Sequence, residues 1–391
     1  MLKIKDVHAV ADITGRHLTS RWDVVGTDGG KMVYSPKYRR MYLFFGDTFG
    51  ADPKNPLQET NWRGSVAGYT SDFDFSRGIR WEGFLPDEKG RAKEIIKKHS
   101  AHNDANHEVT KICQGGLEID GVMYVTYESI RHWGTAGYWD ANFCGVLKST
   151  DGGEHFEKLR DLTWVEPEDP ALWPMVKELV EESMDLTPEA EGFDVESHLA
   201  PGFAAMVFES GKDGYVYGYG RYSGRFHGIH ICRVKKKDFE RFDAYEYLIR
   251  YGEDGTPVWL RGREGLEAIR RDFDATEAVP PPMSNLSVIY NSYLDKWLLL
   301  HHLPEKGIFC RESDTPYGPF SEAQMIFDES HPDLLDGISE ETDGNRLYAC
   351  YTNEMICREQ GRIIPLVISQ WYQWPGQPRY YASRLFEIEL E

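Results

Sequence analysis

Five short, aromatic-rich apolar runs recur along the chain, and a turn signal containing Asp, Asn, Gly or Pro comes before or at the start of each. The runs lie at 38–45, 120–127, 213–219, 294–300 and 343–351, and their matching aromatic residues are Tyr42, Tyr124, Tyr217, Trp297 and Tyr348. Each run has a strand candidate upstream (23–34, 109–119, 201–209, 283–290 and 334–342) and another downstream (65–71, 143–149, 228–234, 307–312 and 380–390). Repeated antiparallel units of one plan favour radial repetition. We therefore predict an all-β fold, a five-bladed β-propeller with short helical insertions between blades. An all-β sandwich is the alternative.

Three less regular segments interrupt the repeat, near 85–107, 165–198 and 252–282. Helices are predicted within them over the charged residues 88–98, over Pro170–Met184 and over Gly265–Phe273. No composition break separates domains, so we expect residues 1–391 to form a single domain. The alternating C-terminal strand is expected to pair beside an N-terminal strand around His8–Ile13.

Two aspartates stand at the far ends of the first predicted hairpin. Asp28 and Asp47 lie symmetrically about its Pro-containing turn. A symmetric register opposes them directly, with Cβ atoms roughly 4.5–5.5 Å apart. Facing carboxylates destabilise a sheet, but a paired acid and base is what glycoside hydrolysis needs, and a short separation favours a retaining mechanism. The pair is the leading catalytic candidate, and the alternative is that each Asp forms a turn beside glycine.

The composition limits the partners and the compartment. The 391 residues carry a formal net charge of −20, so neither nucleic acid nor an anionic membrane is expected as a partner. The N-terminus does not resemble a signal peptide, and no apolar run has transmembrane length. We expect a cytoplasmic protein, with an exported protein that has lost its signal as the alternative. The six dispersed cysteines contain no CxxC pair and are expected to be buried free thiols. The oligomeric state does not follow from the sequence.

No cofactor pattern is present. The chain has no phosphate-binding loop, dinucleotide fingerprint or standard metal-ligand spacing, so we expect neither a metal nor a cofactor. A central cation is compatible with a propeller, but no motif indicates one. The stretch Ser149-Thr-Asp-Gly-Gly-Glu-His-Phe resembles an Asp-box, which is a structural turn.

Polar residues fall at matching strand ends in several repeats. In a propeller, the start of the innermost strand and the end of the next strand lie on one face, which suits a sugar pocket. The segment 128–134 brings a possible alternative acid, Glu128, and an indole suited to sugar stacking, although an ordinary polar loop fits equally well. The predicted substrate-binding residues are Arg63, Glu128, Arg131, His132, Trp133, Tyr222, Arg225, Asn285 and His302.

An ordered set of motifs resembles the family catalogued as domain of unknown function 4185, part of which forms glycoside hydrolase family 183. The set includes Gly26-Thr-Asp-Gly-Gly, Phe45-Gly-Asp-Thr-Phe, Arg131-His-Trp-Gly and Leu286-Ser-Val-Ile-Tyr-Asn, and it covers about residues 8–330. The resemblance implies a five-bladed propeller that cuts D-arabinan as an endo-acting enzyme, with essential aspartates at Asp28 and Asp47. The chain departs from many relatives at Gly29, where Leu is common, and at Asn285, where Glu is common.

Together these observations predict a glycoside hydrolase that acts on a furanosidic oligo- or polysaccharide, D-arabinan first. Two alternatives remain open. One is a non-catalytic glycan-binding propeller, and the other is a propeller glycosidase that acts on a different sugar.

Overall fold

The computed structural model describes residues 2–52, 54–55, 58–98, 107–182, 192–334, 343–373 and 376–391. The strands of this part of the chain are β1 (Ile4–Asp12), β2 (Gly29–Ser35), β3 (Arg40–Phe45), β4 (Thr48–Ala51), β5 (Glu59–Arg63), β6 (Val66–Thr70), β7 (Gly83–Phe84), β8 (Thr110–Ile119), β9 (Val122–Trp133), β10 (Trp139–Ser149), β11 (Glu157–Val165), β12 (Ala205–Ser210), β13 (Tyr215–Arg221), β14 (His230–Lys235), β15 (Glu246–Tyr251), β16 (Pro257–Arg261), β17 (Leu286–Asn291), β18 (Lys296–Leu303), β19 (Gly307–Ser313), β20 (Gln324–Asp328), β21 (Asp343–Tyr351), β22 (Ile363–Gln373) and β23 (Tyr380–Leu390). The α-helices are α1 (Trp173–Glu181) and α2 (Gly262–Arg271).

The chain divides into two compact units. The first comprises Met1–Lys97, Ser284–Thr315 and Ser321–Glu391. It holds three four-stranded antiparallel sheets, with strand orders β2-β3-β6-β7, β17-β18-β19-β20 and β1-β23-β22-β21, and the two-stranded sheet β4-β5. Strands such as β3 and β18 are buried over almost their whole length, which explains why they read as continuous apolar runs. The pairing of β1 with β23 confirms the predicted contact of the terminal strands.

The second unit comprises Lys98–Met283 and Pro316–Phe320. It holds the sheets β8-β9-β10-β11 and β12-β13-β14-β15-β16, which share an apolar cluster centred on Trp164, Phe203 and Tyr245. Helix α2 contributes Leu266 and Ile269 to that cluster. No described helix of either unit is long and apolar enough to cross a membrane.

Five antiparallel sheets of four or five strands form the blades, and the fold is a five-bladed β-propeller, as predicted. The predicted helices near 170–184 and 265–273 are confirmed by α1 and α2, although 183–191 lies outside the described residues. The predicted helix over 88–98 is wrong: the stretch forms turns and bends, Gly90 takes a positive φ of +77°, and Ala92, Ile95 and Ile96 are buried without a helix. That the chain is a single domain stays a prediction.

The strand assignment within the last blade is also corrected. The prediction makes 343–351 the middle strand of its unit, after a strand at 334–342, of which 335–342 lies outside the described residues. In the structure 343–351 is β21, an edge of its described sheet, and it pairs with β22. Strand β22 was not predicted, because short turns at 352–362 lengthen the connection between β21 and β22 and break the spacing seen in the other repeats.

Candidate functional site

The hairpin that carries Asp28 and Asp47 departs from its regular register near both acids. The predicted symmetric pairing holds up to Lys31, and a β-bulge between Gly29 and Lys31 then shifts it by one residue. As a result the Asp28 carbonyl accepts from the N–H of Gly46 at 2.9 Å. The predicted direct pairing of Asp28 with Asp47 is therefore wrong by one position.

Two glycines make this bulge possible. Gly29 and Gly30 have φ angles of +86° and +113°, a region that side chains disfavour. A Cβ on Gly30 would lie 3.0 Å from the Cγ1 atom of Val367. The Gly29 N–H donates to Ser369 Oγ, and the Ser383 hydroxyl donates to the Gly29 carbonyl, both at 2.9 Å. The sheet that contains β22 and β23 thus fixes the backbone next to Asp28.

Two buried threonines hold the two arms together beyond the bulge. The Thr27 and Thr48 hydroxyl oxygens lie 2.6 Å apart, and the Thr48 hydroxyl donates to the Gly46 carbonyl at 2.8 Å. Both threonines are wholly inaccessible, whereas Asp28 and Asp47 are half-buried. The two carboxylates therefore project from a rigid backbone frame, which is what positioned catalytic groups require.

A buried tyrosine lies near both acids. Burial raises the pKa of the Tyr381 hydroxyl well above its ordinary value, the charges of Asp28 and Asp47 raise it further, and Arg379 opposes this shift. The Tyr381 ring also lies 6.2 Å from the ring of Phe49, two residues after Asp47. Strand β23 brings Tyr381 to the hairpin, where the Thr27 N–H donates to its carbonyl at 3.0 Å. Sequence reasoning missed this residue, because nothing in its local pattern distinguishes it from other strand tyrosines.

An indole group holds the second acid. Trp62 Nε1 donates to Asp47 Oδ1 at 2.7 Å, and the Trp62 ring stacks on Phe49 with centroids 6.3 Å apart. A donor aimed at a carboxylate stabilises its ionised form. The sequence prediction pointed instead to the next residue, Arg63.

Arg63 has a structural environment. It is 4% exposed, and its guanidinium donates to the backbone carbonyls of Asn61, Ala92 and Asp23. Burial lowers the pKa of Arg63, with Asp23 opposing the shift. The predicted sugar contact is not supported, because the donors of this side chain are directed at the loops they join.

Asn285 and His302 belong to the same unit as the aspartates. Asn285 Nδ2 donates to the Tyr351 hydroxyl at 2.6 Å, and the buried Lys31 ammonium lies 5.2 Å from the centre of the Tyr351 ring. A Cβ on Gly29 would lie 3.1 Å from that ammonium. The Lys31 ammonium therefore lies between the Tyr351 ring and the backbone of the hairpin that carries the aspartates. His302 is 1% exposed, so its side chain does not line an open pocket.

The remaining predicted residues lie in the second unit, around a cleft of about 390 Å³. His132 and Tyr222 line this cleft, and Trp133 packs edge-on against Trp139, a lining residue, at 5.6 Å. Arg225 lies with its Cζ atom 6.0 Å from the Trp139 ring centre. The complete lining is His132, Gly134, Thr135, Tyr138, Trp139, Asp140, Tyr222, Ser223, Gly224, Phe226 and His227.

Glu128 lies beneath this cleft and does not line it. It has no exposed surface, and its carboxylate accepts from Gln114 Nε2 at 2.9 Å and from Trp139 Nε1 at 2.7 Å. The Arg221 guanidinium lies 3.8 Å away. Arg131, which is half-buried, contributes a positive charge near Tyr222. The predicted role of Glu128 as a sugar contact is corrected, because its partners shield it and it instead orients the Trp139 indole.

A second buried glutamate, Glu166, was not predicted. It accepts from the backbone N–H groups of Ser223 at 2.7 Å and Ala141 at 3.2 Å. Burial raises its pKa to about 8, Ser223 opposes the shift and the charge of Glu128 adds to it. The negative charge of Glu166 in turn raises the pKa of Tyr222. The only sequence signal was an acidic residue directly after a buried strand.

Three exposed or half-buried side chains converge at the Asp-box-like turn. Ligand atoms of Asp151, Glu154 and His155 lie within 4.8 Å of one another. The Asp151 carboxylate accepts from the Ser149 hydroxyl and from the His155 N–H, both at 2.9 Å, which stabilises the turn. These contacts account for the cluster as a turn, as the sequence predicts.

Comparison with solved structures finds distant likenesses over most of the chain. A protein from Bacteroides ovatus, described as a presumed hydrolase, is 13% identical with a TM-score of 0.56, over 94% of this chain and 86% of that one. A protein of unknown function from Dyadobacter fermentans is 12% identical with a TM-score of 0.49, over 99% and 100%. The GH43_1 enzyme from Xanthomonas citri is 10% identical with a TM-score of 0.44, over 96% and 89%. The first likeness shows a shared fold.

Comparison with family models identifies the protein family. No curated protein matches the chain significantly. The family model described as a domain of unknown function, DUF4185, matches residues 14–387, which is nearly the whole chain. The chain therefore belongs to the DUF4185 family.

Proposed function

We propose that this protein is a glycoside hydrolase that cleaves a furanosidic glycan, D-arabinan first, by endo action at Asp28 and Asp47. One observation carries the proposal. Two aspartates project from opposite arms of one hairpin, whose backbone beside Asp28 is held by a β-bulge and by hydrogen bonds to Ser369 and Ser383. Paired carboxylates at a fixed site are the groups that glycoside hydrolysis uses. The family resemblance in the two motifs supports the same residues.

The environments of the two acids suggest different roles. The Trp62 indole donates to Asp47, which favours the ionised carboxylate of a nucleophile or base. Asp28 then acts as the acid and gives its proton to the glycosidic oxygen as the C–O bond breaks. Asp47 either attacks the anomeric carbon or takes a proton from the water that does. This reaction needs two carboxylates and water.

A second candidate function is glycan binding without hydrolysis. The observation that favours it is the aromatic cleft of the second unit, where Tyr138 and Phe226 are 56% and 37% exposed. Their rings stack at 4.4 Å with an interplanar angle of 24°, which presents apolar surface of the kind that packs on sugar faces.

Product analysis on a panel of arabinans, galactans and mannans tests the proposal. We expect short oligosaccharides from D-arabinan, with the anomeric form of the first product read by NMR to assign a retaining or inverting course. Release from galactan or mannan alone would contradict the proposed substrate. Binding of D-arabinan with no product would favour the second candidate.

A further inference from the structure

A second cleft in the first unit adjoins the candidate catalytic residues. Its volume is about 330 Å³, and its lining includes Asp12, Arg16, Arg379, Tyr380 and Tyr381. Tyr381 connects the two places, since it lines the cleft and its carbonyl accepts from the N–H of Thr27, the residue before Asp28, at 3.0 Å. A group bound in this cleft is therefore a neighbour of the carboxylate pair.

The cleft contains a guanidinium with unused donors. The Nε and Nη2 atoms of Arg16 are buried, and neither has an acceptor among the described residues. Buried N–H donors without acceptors are costly and uncommon in folded proteins. They are consistent with a ligand that supplies the acceptor oxygens.

The charges around Arg16 strengthen this interpretation. Asp12 forms an ion pair with Arg384 at 2.8 Å and accepts from the Tyr380 hydroxyl at 3.1 Å. Arg379 forms an ion pair with Glu59 at 2.7 Å. The lining Asp12 and Arg379 are thus each matched by an opposite charge, and the Arg16 charge is not matched by any described acidic group.

We propose that Arg16 binds an anionic substituent, a carboxylate or a phosphate, on the sugar residue next to the one that is cleaved. A planar guanidinium matches the oxygens of both groups in a two-point hydrogen bond. The inference deepens the proposed function, and it rests on the Asp28 and Asp47 pair as the place of cleavage. It adds an expected preference for glycans with an acidic group at that position, and neutral D-arabinan would be cleaved without this contact.

Calorimetric titration with three sugars that differ only at C6 tests the site: D-galactose, D-galacturonate and D-galactose 6-phosphate. We expect the wild type to bind at least one charged sugar more tightly than galactose, and the preferred one identifies carboxylate or phosphate as the ligand group. Arg16→Gln is expected to weaken that binding about tenfold or more, and Arg16→Lys, which keeps the charge without the planar fork, to weaken it less. Arg77→Gln removes an exposed charge outside the cleft and is expected to change nothing.

Binding of neither charged sugar, or unchanged binding in Arg16→Gln, would overturn the inference. Circular dichroism of Arg16→Gln checks that the variant is folded. Repeating the titration with Asp28→Asn separates the two proposals. Retained anion binding in Asp28→Asn, with hydrolysis lost, would support both proposals. Anion binding by a wild type that hydrolyses no glycan would reject the proposed catalysis and keep the anion site.

Discussion

At Asp47 the chemistry depends on a neighbour fifteen residues further along the chain, the Trp62 indole. Sequence reasoning identified the aspartate from its turn motif, but it assigned the binding role near β5 to Arg63. Consecutive strand residues point to opposite sides, and the sequence does not say which side faces the site. The structure shows that Arg63 faces away from the site, because its guanidinium donates to the backbone carbonyls of Asn61, Ala92 and Asp23.

Replacing Trp62 with Phe tests the indole contact. The substitution keeps the aromatic stack on Phe49 and removes one hydrogen bond to a carboxylate, so we expect kcat on D-arabinan to fall about 10- to 100-fold. Trp81→Phe is the matched control, because the indole hydrogen bond that it removes goes to the Ile13 carbonyl and not to a carboxylate. Equal kcat values for Trp62→Phe and the wild type would contradict the assigned role.

Glu166 makes a pH-dependent contribution to stability. Its pKa is raised from 4.5 to about 8 in the folded protein, mainly by burial. Between these values the folded state binds more protons than the unfolded state, so this contribution is fully present below about pH 4.5 and is lost as the pH rises through about 8. Glu166→Gln, which stays neutral, is therefore expected to gain Tm relative to the wild type between pH 5 and about 8.5.

Thermal scans across this pH range measure the difference. Glu168→Gln is the control, since Glu168 is exposed two residues away and pairs with Arg270 at the surface. Parallel Tm curves for Glu166→Gln and the wild type would show that Glu166 is ionised at neutral pH.

Among the structural elements, the β2–β3 hairpin shows where sequence reasoning ends. Its turn, strands and outer register follow from the apolar runs and the central Pro. The bulge at Gly29–Gly30 does not, because it depends on Val367, Ser369 and Ser383, which are far away in sequence. Two adjacent glycines are compatible with a bulge, but the sequence does not show that the pairing of β2 with β3 shifts by one residue there.

Gly30→Ala and Gly90→Ala measure what the bulge contributes. Both glycines have positive φ, +113° and +77°, so each alanine introduces backbone strain of about 1 kcal/mol. A methyl group at Gly30 meets Val367 at 3.0 Å, whereas at Gly90 there is nothing within 4 Å. Denaturant unfolding should show Gly30→Ala to be less stable than Gly90→Ala by a further 1–3 kcal/mol or so. Equal losses would mean that the bulge tolerates the added group.

For the whole molecule, repetition of one strand plan was enough to predict a five-bladed β-propeller. Details inside the blades were less accessible. The predicted strands did not include the short pair β4 and β5, strand β22, or the later strands β7, β11, β15, β16 and β20 of the other sheets, because insertions change the spacing after the third strand of each unit. The two candidate carboxylates were identified from local motifs, but Tyr381 and Glu166 gain their significance only from strands and loops that are distant in sequence.

The cysteines give a test at this scale. All six are free thiols and five are buried, which confirms the predicted state. Dithiothreitol is therefore expected to leave Tm unchanged in a calorimetric scan, because there is no disulfide to reduce. A fall in Tm on reduction would contradict this account.

The measurement that bears most directly on the central claim is D-arabinan hydrolysis by wild type, Asp28→Asn and Asp47→Asn. Asp314→Asn, at an exposed position, serves as a charge-matched control. We predict that wild type and Asp314→Asn release arabino-oligosaccharides at similar rates, and that each site variant is slower by at least about a thousandfold while it remains folded. Hydrolysis at the wild-type rate by both Asp28→Asn and Asp47→Asn would contradict the assignment of this pair as the catalytic acids.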